Sequence, residues 1–131
     1  SVLAGNLFSL WLYKNRPSYA AIGASGGVSG ILFAAITLSP MSSIIIFPIP
    51  IPITSWIYAT LYFAYSVAMM LNPRHCDNTG HAAHLGGAAC GMAFAAALTP
   101  TFVMENALFI GIMSLPLCYL AYEILVNKRA R

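Results

Sequence analysis

Five long apolar runs, separated by short polar connections, dominate this chain of 131 residues. They cover residues 1–13, 22–39, 55–71, 81–99 and 107–126. Most are close to the roughly 20 residues that a helix needs to cross the hydrocarbon core of a bilayer, whereas the first is shorter. Backbone amides cannot be left unpaired in lipid, and the alternation typical of a membrane barrel is missing, so the runs predict helices. We therefore expect an all-α, polytopic membrane helix bundle with four full spans and one partial span.

Composition supports a membrane protein over a water-soluble one. The chain is 60% hydrophobic and 7% charged, and its mean hydropathy is +0.79. The net charge of +3 comes from short clusters that flank the apolar runs, which suits anchoring at the membrane edge better than nucleic-acid binding. We expect the lipid bilayer as a partner and no nucleic acid. Because Ser1 already lies in an apolar run, residues 1–131 are interpreted as one N-terminally truncated domain.

The connection between the second and third runs, residues 40–54, is itself apolar. It carries Pro48, Pro50 and Pro52, and so many prolines prevent a regular helix. We interpret it as an interfacial or re-entrant linker that skims the bilayer. Residues 100–106, between the fourth and fifth runs, contain turn formers and are interpreted as a plain connection.

An imidazole in a membrane span is costly, so His84 is a functional-site candidate whose partner has to be found. It lies in the sequence HAAHLGG, and the best partner is Ser25, in the upstream sequence GASGG. Peptide-bond hydrolysis by a serine needs a base for the hydroxyl proton and donors for the oxyanion. Ser25 falls where the second span should begin, so amide N–H groups and the positive helix end would point toward an oxyanion. Gly26 and Gly27 would leave space for a substrate carbonyl.

Small residues follow both candidates at helical spacing. Gly26 and Gly30 are four positions apart, and Gly87 and Gly91 follow His84 at i+3 and i+7. Such stripes let membrane helices approach closely, so facing stripes would bring the hydroxyl and the imidazole within hydrogen-bond reach. We predict Ser25 and His84 as catalytic residues. The glycines predicted to support close packing or the oxyanion are Gly23, Gly26, Gly27, Gly87 and Gly91.

Each signal has a plainer interpretation. Glycine stripes in apolar spans are more often packing than catalysis. His75, Cys76, His81 and His84 form a loose cluster of zinc-type ligands, but two adjacent residues cannot easily converge with a helical i, i+3 pair. Asp77 permits a Ser-His-Asp arrangement on paper, although a turn residue in solvent is the simpler interpretation. The Gly-x-Ser-x-Gly pattern needs a preceding strand, which the sequence does not offer. We expect no metal and no cofactor.

With Gly-Ala-Ser-Gly opening one span and Ala-His-Leu-Gly-Gly in a span two crossings later, the sequence resembles the rhomboid family of intramembrane serine proteases. The resemblance implies Ser25 as nucleophile, in preference to Ser29, and His84 as general base, without an acidic third member. It covers the chain from the end of the third core span to the sixth, and residues 107–126 would be an extra seventh. It implies a transmembrane protein substrate, cut where its helix unwinds, and we expect a bacterial inner membrane.

The family also uses a His and an Asn of its second span to hold the oxyanion, and these 131 residues contain no such segment. The fragment alone is therefore expected to lack part of the oxyanion hole. Two alternatives stay open: a catalytically inactive rhomboid-like protein that binds membrane helices, and a His-based metal-binding membrane protein. Membrane orientation is also open. All Lys and Arg residues fall on one side of an alternating topology, which the positive-inside rule makes cytoplasmic, whereas the family places that side outside.

Overall fold

The computed structural model describes residues 1–17, 24–72 and 80–127, which form six helices and one two-stranded hairpin. In chain order the elements are α1 (Val2–Leu12), α2 (Ser25–Leu38), β1 (Ser43–Ile45), β2 (Pro52–Thr54), α3 (Ser55–Leu71), α4 (His81–Leu98), α5 (Pro100–Glu105) and α6 (Ala107–Leu125). The predicted all-α helix bundle is confirmed. Helices α4 and α6 are long and apolar enough to cross a membrane, whereas α1, α2 and α3 are apolar but shorter.

Helices α2 and α4 are in backbone-to-backbone contact through their glycines. A Cβ atom added to Gly87 would overlap the carbonyl group of Gly26, and one added to Gly91 would overlap that of Gly30. Because the two pairs occur in the same order along both helices, α2 and α4 run parallel and begin at the same end of the bundle. A glycine inside a helix costs roughly 1 kcal/mol relative to alanine. The close contact between the helices has to offset that cost.

Helix α1 joins this contact through Gly5. A Cβ atom on Gly5 would overlap the carbonyl of Ala83 and lie 3.2 Å from the amide nitrogen of Gly87. Ser1 lies beside Gly30, further along α2, so α1 runs antiparallel to α2. Three helices therefore meet where side chains are smallest.

Aromatic side chains attach α3 to α2, one turn beyond Gly30. The rings of Phe33 and Phe63, both fully buried, stack with centroids 4.4 Å apart, and the ring of Tyr62 lies 5.3 Å from that of Phe33. At the start of α3, Trp56 contacts Phe109 of α6 with ring centroids 5.5 Å apart. Helix α6 thus packs beside α3, at the edge of the bundle.

The two connections that the sequence singled out differ in structure. Residues 40–54 contain the antiparallel pair β1–β2, in the register Ser43–Thr54, Ile44–Ile53 and Ile45–Pro52, and the peptide bond between Phe47 and Pro48 is cis. The prediction that this segment is not a regular helix is confirmed. The plain connection expected over residues 100–106 was wrong, because Pro100–Glu105 forms the short helix α5. Proline is well tolerated in the first turn of a helix, where its missing N–H would have no partner.

We predict that Gly91→Ala destabilises the bundle and that Gly111→Ala does not. The new methyl group at residue 91 meets the Gly30 backbone, whereas nothing lies within 4 Å of a Cβ atom at residue 111 of α6. The expected loss for Gly91→Ala is about 1–3 kcal/mol, as for overpacked cores. For Gly111→Ala we expect no loss, or a gain of up to about 1 kcal/mol from helix propensity. Denaturant-induced unfolding in mixed micelles measures both, and equal stability of the two variants would contradict the glycine contact.

Candidate active site

Ser25 and His84 lie side by side at the end of the bundle where α2 and α4 begin. Ser25 is the first residue of α2, and His84 is in the first turn of α4. The hydroxyl oxygen of Ser25 lies 2.8 Å from Nε2 of His84, within hydrogen-bond distance. The structure therefore brings together the two residues that the sequence selected. In the tautomer protonated at Nδ1, the serine hydroxyl donates a hydrogen bond to Nε2, which is the arrangement that a general base requires.

The surrounding backbone explains why the two side chains meet. Gly26 follows Ser25 directly and lies against Gly87, which is one turn beyond His84. The main-chain N–H of His84 donates to the carbonyl of Gly80 at 3.0 Å, so the residue is held in the first helical turn. His84 is partly buried and Ser25 is exposed. A partly buried imidazole thus faces an exposed serine hydroxyl.

The first turn of α2 determines which amides can serve an oxyanion. The N–H of Gly27 donates to the carbonyl of Ala24 at 2.9 Å, so that amide is already used. The first amides of a helix have no partner within it, which leaves the N–H groups of Ser25 and Gly26 as the candidates. They lie at the positive end of the α2 dipole, next to the Ser25 hydroxyl. This end of the helix is suited to stabilise negative charge that develops near Ser25.

The glycines after Ser25 serve packing. A Cβ atom on Gly26 would lie 2.9 Å from the carbonyl oxygen of Ala83, and one on Gly27 would overlap the Val2 side chain. The expectation that these glycines leave space for a substrate carbonyl is therefore corrected, because α4 and α1 fill that space. Gly87 and Gly91 also make close-packing contacts, whereas Gly23 lies outside the described residues.

His81 and His84 have different neighbours, although both lie at the start of α4. His81 is buried, and its ring meets the edge of the Tyr65 ring of α3 with centroids 5.7 Å apart. Within residues 1–17, 24–72 and 80–127, no group of three or more His, Cys, Asp or Glu side chains could hold a metal ion. His75, Cys76 and Asp77 lie outside these ranges, so the metal and Ser-His-Asp alternatives that use them stay hypotheses.

Two contacts near the site were not predicted. The first is the contact of Gly5 with Ala83, the residue before His84. The sequence could have indicated it, because Gly5 and Ser9 are small residues four positions apart, and both are buried in the structure. The second is the contact of Tyr65 with His81. In the sequence Tyr58, Tyr62 and Tyr65 share one helical face, a spacing that suggests ordinary packing and does not point to His81. Ser29, the alternative serine, is buried one turn beyond Ser25.

Comparison with known proteins identifies a family. Residues 1–101 match the family model described as the Rhomboid domain. The chain is also 33% identical over 102 residues to a protein of Saccharomyces cerevisiae named Rhomboid protein 1, mitochondrial. That alignment covers 72% of this chain and 28% of the yeast protein, so the chain spans less than a third of this relative's length. No solved structure matches. Helix α6 lies beyond the residues that match the family model.

We predict that Ser25→Ala shifts the imidazole nitrogen resonances of His84 and that Ser29→Ala leaves them in place. Only the first change removes the hydroxyl that is 2.8 Å from Nε2. ¹⁵N spectra of histidine-labelled protein in micelles measure the effect without requiring any activity. Unchanged His84 resonances in Ser25→Ala would show that the two side chains are not hydrogen-bonded.

Proposed function

Because the chain belongs to the rhomboid family, we propose that it is an intramembrane serine endopeptidase that cleaves transmembrane-helix substrates with a Ser25–His84 dyad. The family predicted from the two sequence motifs is confirmed, and with it an integral, multi-pass membrane protein. The observation that carries the proposed activity is the distance of 2.8 Å between the Ser25 hydroxyl and Nε2 of His84. A serine held against an imidazole, at a helix end and within apolar spans, combines nucleophile, base and positive dipole.

The proposed reaction follows serine acyl transfer. The Ser25 hydroxyl oxygen attacks the scissile carbonyl carbon while Nε2 of His84 takes the hydroxyl proton. The resulting oxyanion is stabilised by the Ser25 and Gly26 amides and by the start of α2. The imidazolium then gives its proton to the leaving amine, and an ester to Ser25 remains. Water attacks this ester with His84 again as base, which releases the new carboxyl end and restores the hydroxyl.

The proposed substrate is a membrane helix that has unwound at the cleavage point. In an intact helix the carbonyl groups accept hydrogen bonds from residues four positions ahead, so they are poor targets for a nucleophile. Ser25 is exposed and lies at the end of its own span, where a locally extended segment can approach. The second-span His and Asn by which the family holds the oxyanion are proposed to come from elsewhere in the parent protein.

The cellular compartment remains a prediction. Similarity to a relative named as mitochondrial gives no support for the expected bacterial inner membrane over a mitochondrial one. The activity and substrates of the whole protein are likewise proposals, since the chain corresponds to 28% of that relative.

We predict that a fluorophosphonate probe labels the parent protein at Ser25. Labelling, together with cleavage of a model transmembrane substrate, should fall by at least about 10³-fold in Ser25→Ala and in His84→Ala, because each change removes one member of the dyad. Ser29→Ala is the matched control: it removes a hydroxyl one turn away, and we expect it to retain labelling and cleavage. Unchanged cleavage by Ser25→Ala would exclude the assignment.

The same samples separate the alternatives. An inactive rhomboid-like protein would bind a transmembrane peptide but would show neither labelling nor cleavage with Ser25 intact. A metal-binding protein would carry stoichiometric zinc that is lost in His81→Ala, measured by elemental analysis. If the wild-type protein is not labelled by the probe, peptide binding without cleavage would favour the inactive protein, and stoichiometric zinc would favour the metal-binding protein. Either combination would exclude the protease proposal.

A further inference from the structure

We propose that the apolar hairpin, defined as residues 40–54, is embedded in the lipid leaflet at the end of the bundle opposite Ser25 and His84. It follows the end of α2, and Ser25 begins that helix, so the hairpin and the dyad are separated by the whole length of α2. The proposal concerns a lipid-contacting surface and is independent of the catalytic role of Ser25.

The side chains of the apolar hairpin are suited to hydrocarbon and poorly suited to water. Its tip is built of large apolar residues, and Phe47 is 93% exposed. The other exposed apolar side chains are Met41, Ile45, Ile46, Ile49 and Ile51. Contiguous exposed apolar surface of this kind marks a membrane or protein contact site. From residue 17 to residue 73 the sequence contains no Asp, Glu, Lys or Arg, so no charge opposes insertion.

The length of α3 places the hairpin within the membrane thickness. The 17 residues of α3 rise about 26 Å, which is less than the roughly 30 Å of a bilayer's hydrocarbon core. At the dyad end α3 is followed by Asn72 and, in the sequence, by Arg74, polar residues that belong at the membrane–water interface. The part of the hydrocarbon core that α3 does not span therefore lies at the other end of the helix. There β2 and the hairpin tip extend the apolar segment by about 3.3 Å per residue.

The backbone of the hairpin meets the main requirement of a lipid-exposed segment, since polar groups must find partners within the protein. The pairing of β1 with β2 uses main-chain groups of both strands, and the N–H of Ile49 donates to the carbonyl of Ile46 at 2.7 Å. Pro48, Pro50 and Pro52 carry no N–H at all, which removes three donors that would otherwise need partners. The same prolines that prevent a helix thus lower the cost of burying an irregular segment in lipid.

The base of the hairpin is attached to the bundle. The hydroxyl of Ser55 donates to the carbonyl of Ser42 at 2.8 Å, the Ser55 N–H donates to the same carbonyl at 2.8 Å, and the N–H of Trp56 donates to the carbonyl of Pro40 at 3.0 Å. Ile44 packs against the buried core. The base of the hairpin is therefore fixed to the bundle, and this limits the directions that its tip can take.

The test is the collision accessibility of nitroxide labels in the parent protein, reconstituted in phosphatidylcholine vesicles. Labels are placed singly by Phe47→Cys and Ile51→Cys in a background where the native cysteines are alanine. Leu115→Cys, on the exposed middle of α6, is the lipid reference, and Glu105→Cys, exposed at the hairpin end of the bundle, is the water reference. Because oxygen concentrates toward the bilayer centre and the nickel chelate stays toward water, both hairpin labels should give a ratio of oxygen to nickel-chelate accessibility well above that of Glu105→Cys and up to that of Leu115→Cys.

Two results would overturn the proposal. Ratios equal to that of Glu105→Cys would place the hairpin in water. Low accessibility to both reagents would mean that other protein segments cover it. Because the two hairpin positions lie on opposite sides of the turn, a folding defect in one variant leaves the other informative, and helical circular dichroism identifies such a defect.

Discussion

The contact between the glycines of α2 and α4 is the constraint on which the rest of the structure depends. Helices with ordinary side chains at their interface are separated by about 8–10 Å, and only small residues allow their backbones to approach more closely. Gly26 against Gly87 and Gly30 against Gly91 provide two such points, one turn apart on each helix. Two points fix both the separation and the register of the helices. The distance between Ser25 and His84 is a consequence of this register.

The position of the dyad also follows from the electrostatics of helix ends. The first amides of a helix lack partners within it, so the joint start of α2 and α4 is a polar place in an otherwise apolar bundle. The free-energy cost of burying a hydroxyl and an imidazole is lowest at such a place, because each can form a hydrogen bond with the other. In the proposed reaction the first amides of α2, with the positive ends of two helix dipoles, would stabilise the oxyanion. The helix ends that make the polar pair tolerable in a membrane are therefore the same ones on which its proposed role depends.

At the opposite end of the bundle, main-chain amides also need partners, and they are satisfied in another way. There the chain turns between two spans through an apolar hairpin, in which strand pairing and prolines reduce the number of unpaired amides. Aromatic stacking of Phe33 on Phe63 connects α2 to α3 nearer the middle of both helices. The two ends of the bundle thus satisfy their polar groups differently, one by the contact of Ser25 with His84 and the other by strand pairing.

The sequence by itself determined the class of fold and selected the two polar residues that the structure brings into contact. Apolar runs of span length leave a helix as the main way to pair the backbone, and three closely spaced prolines exclude a helix from residues 40–54. Ser25 and His84 could be selected because polar groups are rare in such spans and because each is followed by glycines at helical spacing. These signals are local, so they can be read along a single segment.

Only the tertiary structure decided what those glycines face. Gly26 and Gly27 pack against α4 and α1 instead of lining a space for substrate, and Gly5 of α1 packs at the same place. The two histidines of α4 have different partners, because His81 contacts Tyr65 and His84 contacts Ser25. The spacing of residues on one helix shows which of them share a face, but it carries no information about which neighbour that face meets. The neighbour is chosen by the packing of all the helices at once, because each close contact limits the positions left to the others.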